Sequence, residues 1–167
     1  MKRLLLIVLP LLLIVGCSKP INDETLIEKD GLKYHPDTKE LYSGKTFGLY
    51  ENGNERFERS YKNGKPNGLG TLWDENGQNL SQGRYKDGKL NGKSTEWYRN
   101  GQKYVERYFK DGELDGKHTG WDENGQKIEE GTMKDGKQDG KWTFWNKNGQ
   151  KREEITYKDG KLISKKE

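Results

Sequence analysis

Residues 92–115 read GKSTEWYRNGQKYVERYFKDGELD, and residues 116–139 read GKHTGWDENGQKIEEGTMKDGKQD. Both stretches carry Gly at the first place, Trp at the sixth, Asn-Gly at the ninth and tenth, and a Lys-Asp-Gly that ends at the twenty-first. The frame extends in both directions with no insertion or deletion, giving five units: 44–67, 68–91, 92–115, 116–139 and 140–163. A fixed internal period of this length is the mark of a repeat architecture, in which each unit buries apolar surface only against its neighbours.

Each unit predicts two strands. Asn-Gly between runs rich in Thr, Trp and Tyr favours a two-residue type I′ hairpin turn, because both central residues need φ > 0. The Asp-Gly or Asn-Gly of the Lys-x-Gly triplet supplies the return. Strands are expected near 45–51, 55–62, 69–75, 79–86, 93–99, 103–110, 117–123, 127–134, 141–147 and 151–158. The fold class is therefore all-β, an elongated antiparallel meander of tandem hairpins, with an irregular hairpin at 31–43 before it and a charged tail at 164–167. A lone hairpin is marginal in water, so only the stacked array persists.

The two-residue turn also predicts a core. Trp73 is expected opposite Leu80, Trp97 opposite Tyr104 and Trp121 opposite Ile128. With Trp145 these make one interleaved structural ladder, since equivalent places in successive units lie about 9.6 Å apart and cannot stack directly. Tyr50, Tyr98, Trp142 and Phe144 alternate onto the other face, where exposed rings stack on sugars or anchor a protein partner. These four are the candidate interaction surface.

The N-terminus reads differently. Lys2 and Arg3 precede an apolar run from Leu4 to Val15, too short to span a bilayer and of the length of a secretory segment. Ile14-Val15-Gly16-Cys17 resembles the lipobox of bacterial lipoproteins. That resemblance implies a signal peptide at 1–16 and a mature N-terminus at Cys17 bearing diacylglycerol and a palmitate-type acyl group, an anchor that holds a chain on a membrane without spanning it. Residues 17–30 then form the lipidated Cys and a polar tether. Ser18 lacks the Asp that retains such proteins at an inner membrane, so the expected address is the cell envelope: the outer membrane where there is one, otherwise the cell membrane. Cys17 is the sole cysteine, so once it is lipidated no thiol remains for disulfides or redox chemistry.

After residue 16 the chain holds 29 basic and 27 acidic residues, a near balance that offers no argument for nucleic acid. Leu, Ile, Val and Phe are scarce there, as in disordered chains. But 18 aromatic residues and cancelling charges oppose disorder, and the repeat decides for a folded sheet.

The framing Tyr-Lys-Asp-Gly-Lys-x-x-Gly-x-x-x-x-Trp-x-x-Asn-Gly-Gln resembles the variant MORN repeat of bacteria, found in lipoproteins and in proteins labelled as YwqK-like antitoxin components. The resemblance covers about 44–163. It implies consecutive hairpins in a twisted, half-pipe-like sheet that serves as scaffold or binding module, with no catalytic activity. The Tyr-x-Gly element of eukaryotic MORN strands is mostly missing, with Gly83 and Gly131 as partial echoes.

Other motifs dissolve into the frame. Gly88-Lys-Leu-Asn-Gly92-Lys93-Ser94 is one residue short of a phosphate-binding loop and no helical pattern follows it. Asp74-Glu75-Asn76-Gly77 and Asp122-Glu123-Asn124-Gly125 lack the alternating oxygen ligands of a calcium loop. His35 and His118 stand in unrelated contexts, which argues against zinc or a Cys-His dyad. Glu58, Glu106, Glu130 and Glu154 recur opposite Phe47 or Thr, where cross-strand pairing with Lys explains them better than paired-carboxylate hydrolysis. The sequence is thus read as a membrane-anchored, non-enzymatic repeat scaffold for a protein partner, without cofactor or metal. The second reading is a cell-wall glycan module; antitoxin-like and enzymatic roles rank below both.

Overall fold

The computed structural model describes residues 19–166. The segment expected to be a signal peptide, 1–16, and Cys17 lie outside the described residues. The strands are β1 Ile21–Asn22, β2 Ile27–Lys29, β3 Leu32–Tyr34, β4 Gly44–Leu49, β5 Glu55–Lys62, β6 Lys65–Trp73, β7 Asn79–Lys86 and β8 Lys89–Trp97, followed by β9 Lys103–Lys110, β10 Glu113–Trp121, β11 Lys127–Lys134, β12 Lys137–Gln138, β13 Gly140–Trp145, β14 Lys151–Lys158 and β15 Lys161–Lys166. Among the described residues, β2 and β3 pair with each other and the rest join one thirteen-stranded sheet. Its long strands follow each other in chain order, all antiparallel from β4 onward. The expected meander of hairpins is therefore the fold.

The turns exchange roles relative to the expectation. Asp87 (φ 50) and Gly88 (φ 89) both adopt positive φ, as do Asp111-Gly112 and Asp135-Gly136. Lys86 pairs with Lys89 and Lys110 with Glu113 across them. The type I′ two-residue turn thus belongs to the Asp-Gly end of the unit. At the Asn-Gly end only Gly is left-handed, and the Tyr98 N–H reaches the Gln102 carbonyl at 2.8 Å around a three-residue loop. The physical cause lies in the caps: the Asp74 carboxylate accepts from the Asn76 and Gln78 amides, both at 2.9 Å, and holds the longer, three-residue loop.

This change displaces the pair beside the loop and leaves the rest of each hairpin in the expected register. An extra residue enters each second strand, so Trp73 pairs with Asn79, Trp97 with Lys103 and Trp121 with Lys127. Leu80, Tyr104 and Ile128 sit in the resulting bulges, and Tyr104 is 44% exposed. The predicted Trp–apolar ladder is replaced by a Trp–Lys one. The Lys103 ammonium lies 5.4 Å from the Trp121 ring centre and that of Lys127 5.3 Å from Trp145.

The strands after each Asp-Gly turn start about four residues earlier than expected, because the framing Gly lies within the strand. Gly116, at φ 117, absorbs the register shift between Leu114 and His118. The tail predicted at 164–167 is mostly strand, part of β15. The tether is shorter as well. Residues 21–42 fold onto the first repeat: β1 runs parallel to β4, and Leu26, Tyr42 and Tyr61 form a buried cluster with Ile21 against it.

Both ends of the hairpins are stitched between units. The Gly88, Gly112 and Gly136 amides donate to the carbonyls of Pro66, Leu90 and Leu114 at 2.8–2.9 Å. At the other end Asn100 Nδ2 donates to the Glu123 carbonyl at 2.6 Å. Each Gly bond joins a turn to the start of the strand that follows the neighbouring turn, and these bonds supplement the little apolar burial of the sheet.

Candidate functional site

Strand alternation gives the sheet two faces of different chemistry. On one, Lys and Glu dominate. Glu106 sits 2.6 Å from Lys93 and 3.2 Å from Lys103; Glu130 sits 3.0 Å from Lys117 and 2.7 Å from Lys127; Glu154 sits 3.0 Å from Lys141 and 2.6 Å from Lys151. Each carboxylate is clasped by a lysine across the strand and one three residues before it. The expected pairing of Glu with Thr is present, Thr95 opposite Glu106 and Thr119 opposite Glu130. Thr95 and Thr119 are buried beneath the ionic layer.

These carboxyls are held below the ordinary 4.5. For Glu106 burial opposes the shift, and the Lys93 and Lys103 ammoniums outweigh it. For Glu130 the main cause is the bond from Lys127, and Glu154 is lowered to about 2 by Lys151 and Lys141. A depressed folded-state value makes the charged form part of the folded state's stability. That contribution is full above 4.5 and lost as pH falls toward about 2. The expected result is a thermal midpoint nearly constant from neutral pH to about 5 that drops below 4.5. Lys117→Met with Lys127→Met should flatten part of that drop, as followed by circular dichroism.

The opposite face is paved with small residues and rings. One row crosses it from strand to strand. Thr46 pairs with Arg59, Arg59 with Gly70, Gly70 with Gly83, Gly83 with Ser94, Ser94 with Arg107, Arg107 with His118 and His118 with Gly131. At its far end the Trp142 indole lies flat over Gly131, so close that a Cβ there would stand 2.2 Å from Trp142 Cδ2. Trp142 is 3% exposed, with its ring 5.1 Å from His118 and 6.2 Å from Phe144. Its Nε1 donates to the Thr132 carbonyl at 3.1 Å.

The four candidate rings therefore do not form an open platform. Trp142 is core. Tyr50 and Tyr98 are half-buried staples whose hydroxyls donate to the carbonyls of Trp73 at 2.7 Å and Trp121 at 2.9 Å, one unit further on. Tyr98 also meets Tyr104 edge-on at 5.0 Å. Phe144 is half-buried, with Arg152 over its ring at 5.7 Å.

His118 is more engaged than its sequence context suggests. Its Nε2 lies 2.8 Å from a Glu129 oxygen, while its Nδ1 is buried without a partner. The bond from His118 is the main reason the Glu129 carboxyl stays below its ordinary range. Among the described residues no group of three or more His, Cys, Asp or Glu is arranged to hold a metal. Gly88 closes a turn and Ser94 stands in mid-strand, so Gly88–Ser94 forms no cradle at a helix start.

Two depressions lie along the row. One of about 470 Å³ sits over Gly70 and Gly83, between Phe57, Arg59 and Leu72 on one side and Tyr85, Leu90 and Ser94 on the other. A second of about 320 Å³ lies beside Arg107, His118, Glu129, Met133 and Trp142. Sequence reading did not single out this row. Its signal is the third and sixteenth places of the frame, legible only when the correct register joins them across strands.

A family model described as the MORN repeat variant matches residues 90–111, 114–135 and 138–159. Its matches recur at the same spacing of 24 and begin two residues before each framing Gly, so that each covers one hairpin closed by the Asn-Gly turn. No curated protein matches the chain. Among solved structures, a chain titled "Crystal structure of GtfA/B complex bound to UDP and GlcNAc" aligns with 82% of this chain and 26% of its own length, at 11% identity and a TM-score of 0.28. That likeness carries no argument about function.

Proposed function

From three tandem matches to the MORN repeat variant between residues 90 and 159, we propose a non-catalytic scaffold for protein–protein interaction, exported and lipid-anchored at the cell envelope through Cys17. The observation that carries the binding reading is the row of small residues on one face of a continuous sheet, open beside buried and stapled aromatics. The polar groups with catalytic potential are otherwise employed. Glu106, Glu130 and Glu154 are each held between two lysines, and His118 is tied to Glu129. The lipobox-like Ile14-Val15-Gly16-Cys17 supports the anchor. Glycan binding by the four predicted rings has less support, since Trp142 is buried and Tyr50 and Tyr98 are committed between units.

The two halves of the proposal are tested separately. Cells labelled with an alkyne fatty acid should incorporate label into the wild-type chain and retain it with membranes, and Cys17→Ser should lose both. Labelled, membrane-bound Cys17→Ser protein would sink the anchor. For the scaffold, chemical crosslinking in intact cells should yield one recurrent protein adduct, whereas adducts no different from those of a chain with units 68–139 scrambled would overturn it.

A further inference from the structure

The Gly70–Gly83 trough has an internal precedent that states what fills it. Gly83 and Gly131 hold the same place in the frame, and so do their cross-strand neighbours Ser94 and Trp142. Over Gly131 the chain supplies its own indole. Over Gly48 it supplies the Phe57 ring, whose Cε1 would stand 2.3 Å from a Cβ at that glycine. At Gly83 the partner residue is only a serine. The slot is entered by one Leu90 methyl and the edge of Tyr85, which leaves the depression of about 470 Å³. A glycine floor covered only by the end of Leu90 and the edge of Tyr85, with walls of mixed apolar and polar groups, accepts a flat ring once the Leu90 side chain turns aside.

Charge narrows the occupant further. The row carries three basic side chains. Arg107 lies 3.2 Å from Glu96, and His118 lies 2.8 Å from Glu129. Arg59 is exposed, is stacked over Phe57 at 4.5 Å and touches the Tyr61 hydroxyl, but among the described residues no carboxylate pairs with it. A guanidinium held flat on a ring presents its edge for two-point binding of a carboxylate. Arg59 lies directly across from Gly70, at the rim of the slot.

Resting on the scaffold reading, we propose that the Gly70–Gly83 slot is the docking site for a partner protein, and that it receives an extended segment bearing a Trp or Phe ring beside an Asp or Glu. The ring displaces the Leu90 methyl and takes over Gly83 the position that Trp142 takes over Gly131, and the carboxylate pairs with Arg59. The array would thus present a partly filled copy of a contact that it completes with a full ring elsewhere.

The test uses the full-length chain in detergent micelles and the probe peptide acetyl-Gly-Trp-Asp-Gly-amide. The expected result is binding that shifts the amide resonances of Gly70, Gly83 and Ser94. Replacing the peptide's Trp by Ala, or its Asp by Asn, should weaken binding about tenfold or more, the usual loss on removing a charge-assisted bond or an anchor ring. Ser94→Trp fills the slot from within and should abolish binding. Arg59→Gln, at an exposed position that leaves folding intact, should weaken it to the level of the Asn peptide. No binding to wild type, binding indifferent to Arg59→Gln, or equal shifts from an N-acetylglucosamine trimer would each overturn the proposal. A crosslinked cellular partner retained in full by both variants would overturn the slot while leaving the scaffold standing.

Discussion

Trp142→Ala should lower folding stability by about 3–5 kcal/mol, the range for truncating a buried aromatic side chain. The residue is 3% exposed, sits against His118 and Phe144, and covers Gly131, so its loss opens a cavity where the sheet has little other apolar burial. Urea denaturation followed by circular dichroism reads the loss directly. Gly131→Ala supplies the complementary measurement. Its new methyl would stand within 2.6 Å of three indole atoms, rigid ring rather than a flexible chain end, and should cost about 1–3 kcal/mol or more. In the Trp142→Ala background that cost should largely vanish. The two changes are coupled through one contact, and strict additivity would show that the indole does not hold this position in solution.

Asp23→Ala should cost about 2–3 kcal/mol, because two bonds to a charged acceptor are lost at once. Its carboxylate accepts from Thr46 Oγ1 at 3.0 Å and from Lys33 Nζ at 3.1 Å, and Thr46 is fully buried. The loss is local in character. Residues 21–42 close the first edge of the array through Asp23 and through backbone bonds from Lys33 to the Gly64 carbonyl and from Gly64 to the Tyr42 carbonyl. Hydrogen exchange at the Lys33 and Gly64 amides should accelerate in Asp23→Ala, while that at Gly112 and Gly136 stays close to wild type. Uniform acceleration would show that the N-terminal segment folds as one unit with the distant repeats. Asp23→Asn should fall between the two proteins, since its amide oxygen still accepts from Thr46.

Much of this was legible before any coordinates. The period of 24, two strands per unit and reversal at each Gly-containing pair depend on local backbone preference, which a glycine after Asp or Asn states plainly. The Lys–Glu ladder follows from the same frame, and Thr95 and Thr119 stand opposite Glu106 and Glu130 as the spacing requires. Assigning the type I′ turn to the Asn-Gly end failed because Asn-Gly suits both a two-residue and a three-residue loop. The cap by Asp74 in one unit, or the bond from the Gln102 amide to Asn100 Oδ1 in another, selects the longer one.

Loop length at the Asn-Gly turns and register across the Asp-Gly turns separate what the sequence alone determined from what tertiary structure decided. Repeat number, strand content and the rows sharing a face before the loop follow from period and alternation, which are properties of the chain read in order. The partner of each Trp and the exposure of Tyr104 follow from the loop, whose inserted residue is absorbed as a bulge that displaces only the pair beside it, and the burial of Trp142 follows from the register across the Asp135-Gly136 turn. Trp142 itself shows no sign of burial in its own segment. It is buried because residue 131, eleven positions away and on the adjacent strand, has no side chain to keep the indole off the sheet. Over Gly83 the cross-strand residue is Ser94, too small to cover it, and only the end of Leu90 reaches in, which leaves the depression beside it.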